Sequence, residues 1–197
     1  MRSEKAAASF AIAVLLAAPF QVAAQSLPRV ALRTGAGTIT LEIDSVHAPV
    51  TAANFLRYVD GGFYHGGRFH RTVKPDNQPQ SAVKIEVIQA GMDSARQSQR
   101  FPAIALERTN MTGLLHKDGT VSMARGGPDS ATDGIFICIG DQPELDFGGK
   151  RNADGQGFAA FGRVISGMDV VRAIQQSPAQ EQRLTPVISI LDATRVK

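Results

Sequence analysis

Alternation of apolar and polar residues sets the framework of this chain. Val30 and Leu32, then Ile39, Leu41 and Ile43, alternate with polar neighbours on either side of a Gly35-Ala36-Gly37 turn, which predicts a β-hairpin with one buried face. After Pro49 the period changes. Ala52, Phe55, Leu56 and Val59 fall at i, i+3, i+4 and i+7, predicting an amphipathic helix of about three turns that Thr51 caps and Gly61-Gly62 ends. Arg68 to Val73 is extended in character, and Ile85, Val87 and Gln89 share one face of a further strand. Between them, Lys74 to Val83 is rich in Pro, Asp, Asn, Gln and Ser and reads as a loop. Ala103–Leu106 and Phe158–Val164 read as short strands, with a turn at Asp118-Gly119 and a long glycine-rich loop from Pro143 to Gly157. Met168, Val170, Val171 and Ile174 mark a second helix, and Pro186 precedes a last strand over Val187–Leu191. Many short strands, two helices and no strict βαβ alternation predict a mainly β protein, a barrel or sandwich with helical caps.

Two positions break the pattern. In Ile135 to Ile139 the isoleucines 135, 137 and 139 take one face of a strand, leaving Phe136 and Cys138 on the other, just after a loop holding Gly126, Gly127, Pro128, Asp129, Ser130, Asp133 and Gly134. Phe136 is either the floor of a shallow apolar pocket or the core of a strand buried on both faces. Period two also places Arg71 on the side of Phe69 and Val73. A guanidinium there requires a buried ion pair or a place at the lip of a pocket, because burying it alone is costly.

Composition narrows the setting. Residues 1–24 have the parts of a secretory signal peptide: Arg2 and Lys5, an apolar run from Ala6 to Phe20, and small residues at Val22-Ala23-Ala24, the alternative being a retained anchor. The remaining 173 of the 197 residues suit a single domain, 25–197, without stable membrane insertion after cleavage. Two of the 21 basic and one of the 18 acidic residues fall in the signal, leaving 19 against 17, a net +2. That near balance gives no electrostatic case for nucleic acid. Cys138, the lone cysteine, has no partner for an internal disulfide and reads as a small buried hydrophobe. The expected location is periplasmic or secreted, and the expected state a monomer.

The residue inventory also restricts the chemistry. His47, His65, His70 and His116 are far apart and lack HExxH spacing, so no metal site is expected. Ser122 sits in Ser-Met-Ala-Arg with no GxSxG elbow, which argues against a serine hydrolase, and no GxxxxGK segment supports phosphate binding. No cofactor is implied.

Phe69-His70-Arg71, Gln89-Ala90-Gly91, Ser122-Met123-Ala124-Arg125, Phe136-Ile137, Leu145-Asp146 and Phe161-Gly162-Arg163-Val164, in that order, resemble the signature of the cyclophilin family of peptidyl-prolyl cis-trans isomerases. The resemblance extends from about Val30 to Leu191. It implies a closed eight-stranded antiparallel barrel capped by two α-helices, with the pocket on the outside of the wall. It further implies that Arg71 is catalytic, donating toward the prolyl nitrogen; that Gln89 supports it and binds backbone; that Phe136 and Leu145 line a proline seat; and that Ala124 and Arg125 contact the peptide backbone. His70 and Phe158 join the substrate-binding set as wall residues. The implied partners are proline-containing polypeptides of secreted or envelope proteins. The sequence departs from the family in the seventeen residues Thr72 to Ile88, about ten more than usual, and at Glu86 and Val87, Gly134, Glu144 and Phe158. These thin the proline seat and keep open a second reading, a cyclophilin-like peptide-binding or chaperone module with little or no isomerase activity.

Overall fold

The computed structural model describes residues 26–197; the expected signal segment lies outside them. In chain order the elements are β1 (Arg29–Thr34), β2 (Gly37–Ile43), α1 (Pro49–Asp60), β3 (Arg68–Val73), β4 (Val87–Gly91), a 3-10 turn (Ser94–Gln99), the four-residue α2 (Thr109–Thr112), β5 (Thr120–Met123), β6 (Ile135–Cys138), a 3-10 turn (Pro143–Leu145), β7 (Ala159–Ser166), α3 (Met168–Gln176), β8 (Ala179–Gln180) and β9 (Arg183–Val196). Eight strands pair antiparallel in the order β1-β2-β7-β5-β6-β4-β3-β9, and β9 returns to β1, closing the barrel and leaving the two-residue β8 on the margin. Closure matters because it gives every long strand two partners and leaves no edge to template aggregation.

Alternation works as expected through most of the wall. Val30, Leu32, Ile39, Leu41 and Ile43 point inward with Ile135, Ile137 and Ile139, and the interior is completed by Phe69, Ile88, Val121 and Phe161. Helix α1 packs Phe55 against Phe161 at 5.2 Å and Tyr64 at 5.5 Å between ring centroids, while α3 lies against β2, β3 and β4 and buries Val171 and Ile174.

Three local expectations change. Thr51 does not cap α1: Ala48 holds that position, Pro49 starts the helix, and the carboxylate of Glu107 accepts from the amides of Val50 (3.0 Å) and Thr51 (2.7 Å) and from the Thr51 hydroxyl. A remote carboxylate thus satisfies the free amides and the positive end of the helix dipole. Ala103–Leu106 forms no strand, only a bridge between Ile104 and Ala131. The last strand runs from Arg183 to Val196 instead of Val187–Leu191, because its polar end pairs with β1 through backbone alone. Pro186 falls inside it, between the pairings Arg71–Arg183 and Phe69–Ile188, where no ladder bond needs the missing N–H.

Candidate active site on the outer wall of the barrel

A β-bulge decides which way Arg71 faces. Phe69 pairs with Ala90 and Arg71 with the very next residue of β4, Gln89, so His70 is the extra residue, and the same break recurs against β9. Simple alternation would keep Arg71 with Phe69. The bulge separates them: Phe69 stays in the interior, while Arg71 turns outward with Val73. A row of register partners, Ser122, Phe136, Gln89 and Arg71, then crosses the outer face on β5, β6, β4 and β3.

The guanidinium of Arg71 is gripped by neutral groups. Its Nε and Nη2 donate to Gln182 Oε1 at 2.9 and 2.6 Å, and its Nη1 donates to Gln89 Oε1 at 3.0 Å. Arg71 makes no ion pair with any described residue, so the lip of a pocket, and not a buried ion pair, accounts for it. Burial, and after it the charge of Arg151, draw its pKa below the ordinary arginine value. Three of its five N–H donors are committed, which orients the plane and leaves two for a ligand.

Phe136 settles as the centre of a second apolar cluster, outside the barrel. It is buried with Val73, Ile85, Val87, Cys138 and Leu145, and Ala124 and Phe158 pack against the group. A cleft of about 220 Å³ opens over it, lined by Arg71, Gln89, Phe136, Leu145 and Phe158 among others. That is smaller than a drug-sized pocket and suits a single apolar ring. Phe158 meets Phe136 edge-on at 5.2 Å, so it restores apolar wall. Ile85 and Val87, on the face they share with Gln89, also line the cleft, so Val87 adds to the seat instead of thinning it.

Behind Phe136 lies a relay absent from the sequence reading. His116 stacks on the Phe136 ring, its Nε2 is 2.9 Å from Ser122 Oγ, and its Nδ1 is 2.7 Å from Asp146 Oδ1. The order is that of a hydrolase triad, yet Ser122 and His116 are 0% and 1% exposed, out of reach of any substrate carbonyl. The relay holds the floor of the cleft in place.

The other expected residues are placed less uniformly. Ala124 lines the cleft. The Arg125 side chain is buried and spends its charge on Asp154 through a bidentate pair at 2.7 and 2.9 Å, which holds the Asp154 carboxyl down to about 2. Its Nε also donates to the Gly157 carbonyl, so it braces the glycine-rich loop and leaves only its main chain for a peptide. His70 lines neighbouring clefts on either side and not the apolar one. Burial lowers its pKa. Gly134 also lies in the adjacent cleft, of about 430 Å³, where a Cβ would approach Ala124 Cβ to 3.3 Å. Glu86 accepts from Gln175 and Glu144 from the Lys150 amide, so neither carboxylate intrudes on the seat. Arg151 and Gln182 are functional candidates without any sequence signal. Among the described residues, no three His, Cys, Asp or Glu side chains come together as a metal site.

The sequence and the fold match known proteins. The family model for "Cyclophilin type peptidyl-prolyl cis-trans isomerase/CLD" matches residues 29–195. Peptidyl-prolyl cis-trans isomerase A of Dickeya dadantii is 37% identical over 155 residues, 78% of this chain and 74% of that protein. A peptidyl-prolyl cis-trans isomerase of Acinetobacter baylyi is 35% identical over 150 residues, 76% and 72% of the two chains. The fold also matches the crystal structure of a cyclophilin type peptidyl-prolyl cis-trans isomerase of Cryptosporidium parvum, with a TM-score of 0.68 at 20% identity over 87% of this chain and 98% of that one. A crystal structure of that protein in the presence of the dipeptide Ala-Pro matches with a TM-score of 0.69, again at 20% identity, over 86% and 99% of the two chains. With an ordered motif set, a closed eight-stranded barrel and a family match over nearly all the described residues, the chain belongs to the cyclophilin-type peptidyl-prolyl cis-trans isomerases.

Proposed function

We propose that this chain isomerises Xaa-Pro bonds of extracytoplasmic polypeptides, with Arg71 stabilising the twisted amide. One observation carries the reading: a guanidinium without a counter-charge faces the same cleft as an apolar seat. Amide resonance holds the bond planar with a barrier of about 20 kcal/mol. Twisting localises the lone pair on the prolyl nitrogen. A donor waiting there interacts more strongly with the twisted state than with the planar one, which is the condition for rate acceleration. Gln89 and Gln182 hold that donor without neutralising it, and the seat over Phe136 holds the ring while the carbonyl side rotates. A millionfold acceleration requires about 8 kcal/mol of selective stabilisation, within reach of one charge-assisted donor plus positioning.

The signal-like residues 1–24 support action outside the cytoplasm, on proline-containing segments of secreted or envelope proteins. A peptide isomerisation assay tests the reaction. Arg71→Ala is expected to lose about 10²- to 10³-fold in kcat/KM; a wild type no faster than this variant would reduce the protein to a peptide-binding module. Fusion of residues 1–24 to a reporter active only after export tests the location.

A further inference from the structure

Arg151 stands where two cavities meet. It lines the 220 Å³ cleft over Phe136 and also a groove of about 950 Å³ beside it. The longer span between Arg71 and Gln89 builds that groove, with Lys74, Asn77, Gln78 and Ser81 on one side and Ser177 to Gln182 on the other. Side chains fix the segment where no ladder does. Asn77 donates to the carbonyls of Thr72 and Glu181 and accepts the Lys74 amide, and the buried Gln78 donates to the carbonyls of Lys74 and Ile85. Arg151 clamps the segment through a single nitrogen: Nη1 reaches Gln78 Oε1 (2.9 Å), Ser81 Oγ (2.6 Å) and the Val83 carbonyl (2.7 Å).

That leaves Nε and Nη2 of Arg151 without partners among the described residues. These two donors form the side edge of the guanidinium, the edge that meets a carboxylate with two parallel hydrogen bonds. All three acceptors on Nη1 are neutral, so the charge is not cancelled. Burial lowers the pKa of both Arg151 and Arg71, and the charge of Arg151 lowers that of Arg71 further. No acidic residue lines the cleft. Asp76 and Glu181 line the outer groove, but neither forms an ion pair with Arg71 or Arg151. Two partly buried cations with no anion between them make a site that attracts one.

We infer that Arg151 is a specificity-determining residue selecting clients that carry an aspartate or glutamate side chain close in sequence to the isomerised proline. The client chain leaves the seat over Phe136, passes the free edge of Arg151 and continues into the groove. The inference rests on the isomerase reading for where the proline sits.

Matched peptides with Glu, Gln or Lys at each position flanking one Xaa-Pro bond test it. In the wild type the Glu peptide is expected to exceed the Gln peptide about fivefold in kcat/KM at one flanking position, the Lys peptide to fall below both, and the preference to shrink as salt is raised. Arg151→Gln, which keeps a donor for Gln78, Ser81 and Val83, brings the Glu-to-Gln ratio to about one; Arg151→Lys keeps part of it. Peptide affinities from calorimetry give the same ratio without turnover, so loss of all activity counts against the isomerase reading alone. A wild-type ratio of one, a ratio unchanged in Arg151→Gln, or a ratio indifferent to salt overturns the inference. The salt arm carries the test if that variant does not fold.

Discussion

The imidazole of His116 lies flat on the ring of Phe136, 5.8 Å between centroids and 13° from parallel, with Ser122 and Asp146 holding its two nitrogens. The floor of the apolar cleft is therefore set by a polar relay that never touches the substrate. His116→Ala opens a void under Phe136 and strands the Ser122 hydroxyl, so a stability loss of about 3 kcal/mol is expected. Urea unfolding measures it. Turnover of the folded fraction should fall with KM rising, since the seat loses its orientation. A variant as stable as the wild type would remove the relay from the account.

Gln182 is expected to affect kcat more than binding. It accepts from two nitrogens of Arg71, is itself tied to the Asn77 carbonyl, and does not line the apolar cleft. In Gln182→Ala the guanidinium loses its main orientation, and kcat should drop about tenfold, equivalent to about 1.4 kcal/mol, with KM little changed. Gln182→Glu adds a charge that pairs with Arg71 and, under the proposed mechanism, weakens its donation toward the prolyl nitrogen, so it should not restore the rate. Steady-state kinetics on one neutral peptide separates these outcomes, and an equal fall in both variants' affinity would point to binding instead.

His70 is expected to make the protein less stable as pH falls. Burial, with the nearby charges of Arg71 and Arg68 adding to it, holds the folded imidazole below its usual value, despite a hydrogen bond to the Arg68 backbone that acts the other way. The unfolded chain, with a histidine near 6.5, takes up the proton first as pH falls. Its contribution is therefore full above about pH 6.5 and is lost as pH drops through the folded value. The slope of stability against pH between about 7 and about 5 should be shallower in His70→Gln than in the wild type; equal slopes would sink this assignment.

Cys138 should be chemically silent. It is fully buried in the outer cluster, and burial pushes its thiol well up, leaving almost no thiolate at neutral pH. A maleimide reagent should label it in denaturant and leave the native protein unmodified over the same time.

The parts of this molecule that were legible in sequence are those where strands stay regular. Ile135, Ile137 and Ile139 divide from Phe136 and Cys138 as alternation requires, because β6 has no bulge. Ile85 and Val87 fall on the face of Gln89 for the same reason. Alternation alone places Arg71 on the side of Phe69, whereas a single extra residue at His70 changes the phase and leaves no mark in composition. Glu107, Gln182 and Arg151 act across 56, 111 and about 70 residues of chain, on helix amides, on Arg71 and on the loop after β3 respectively. Such contacts carry no period, and only the closed barrel brings them together.

The strand that carries Phe136 presents one set of residues to the barrel interior and another to the cleft, with no side chain belonging to both. Foldedness and selectivity are thus written in alternate letters of the same few words. Changes on the outer letters can retune which polypeptides are taken while the inner ones go on holding the molecule shut.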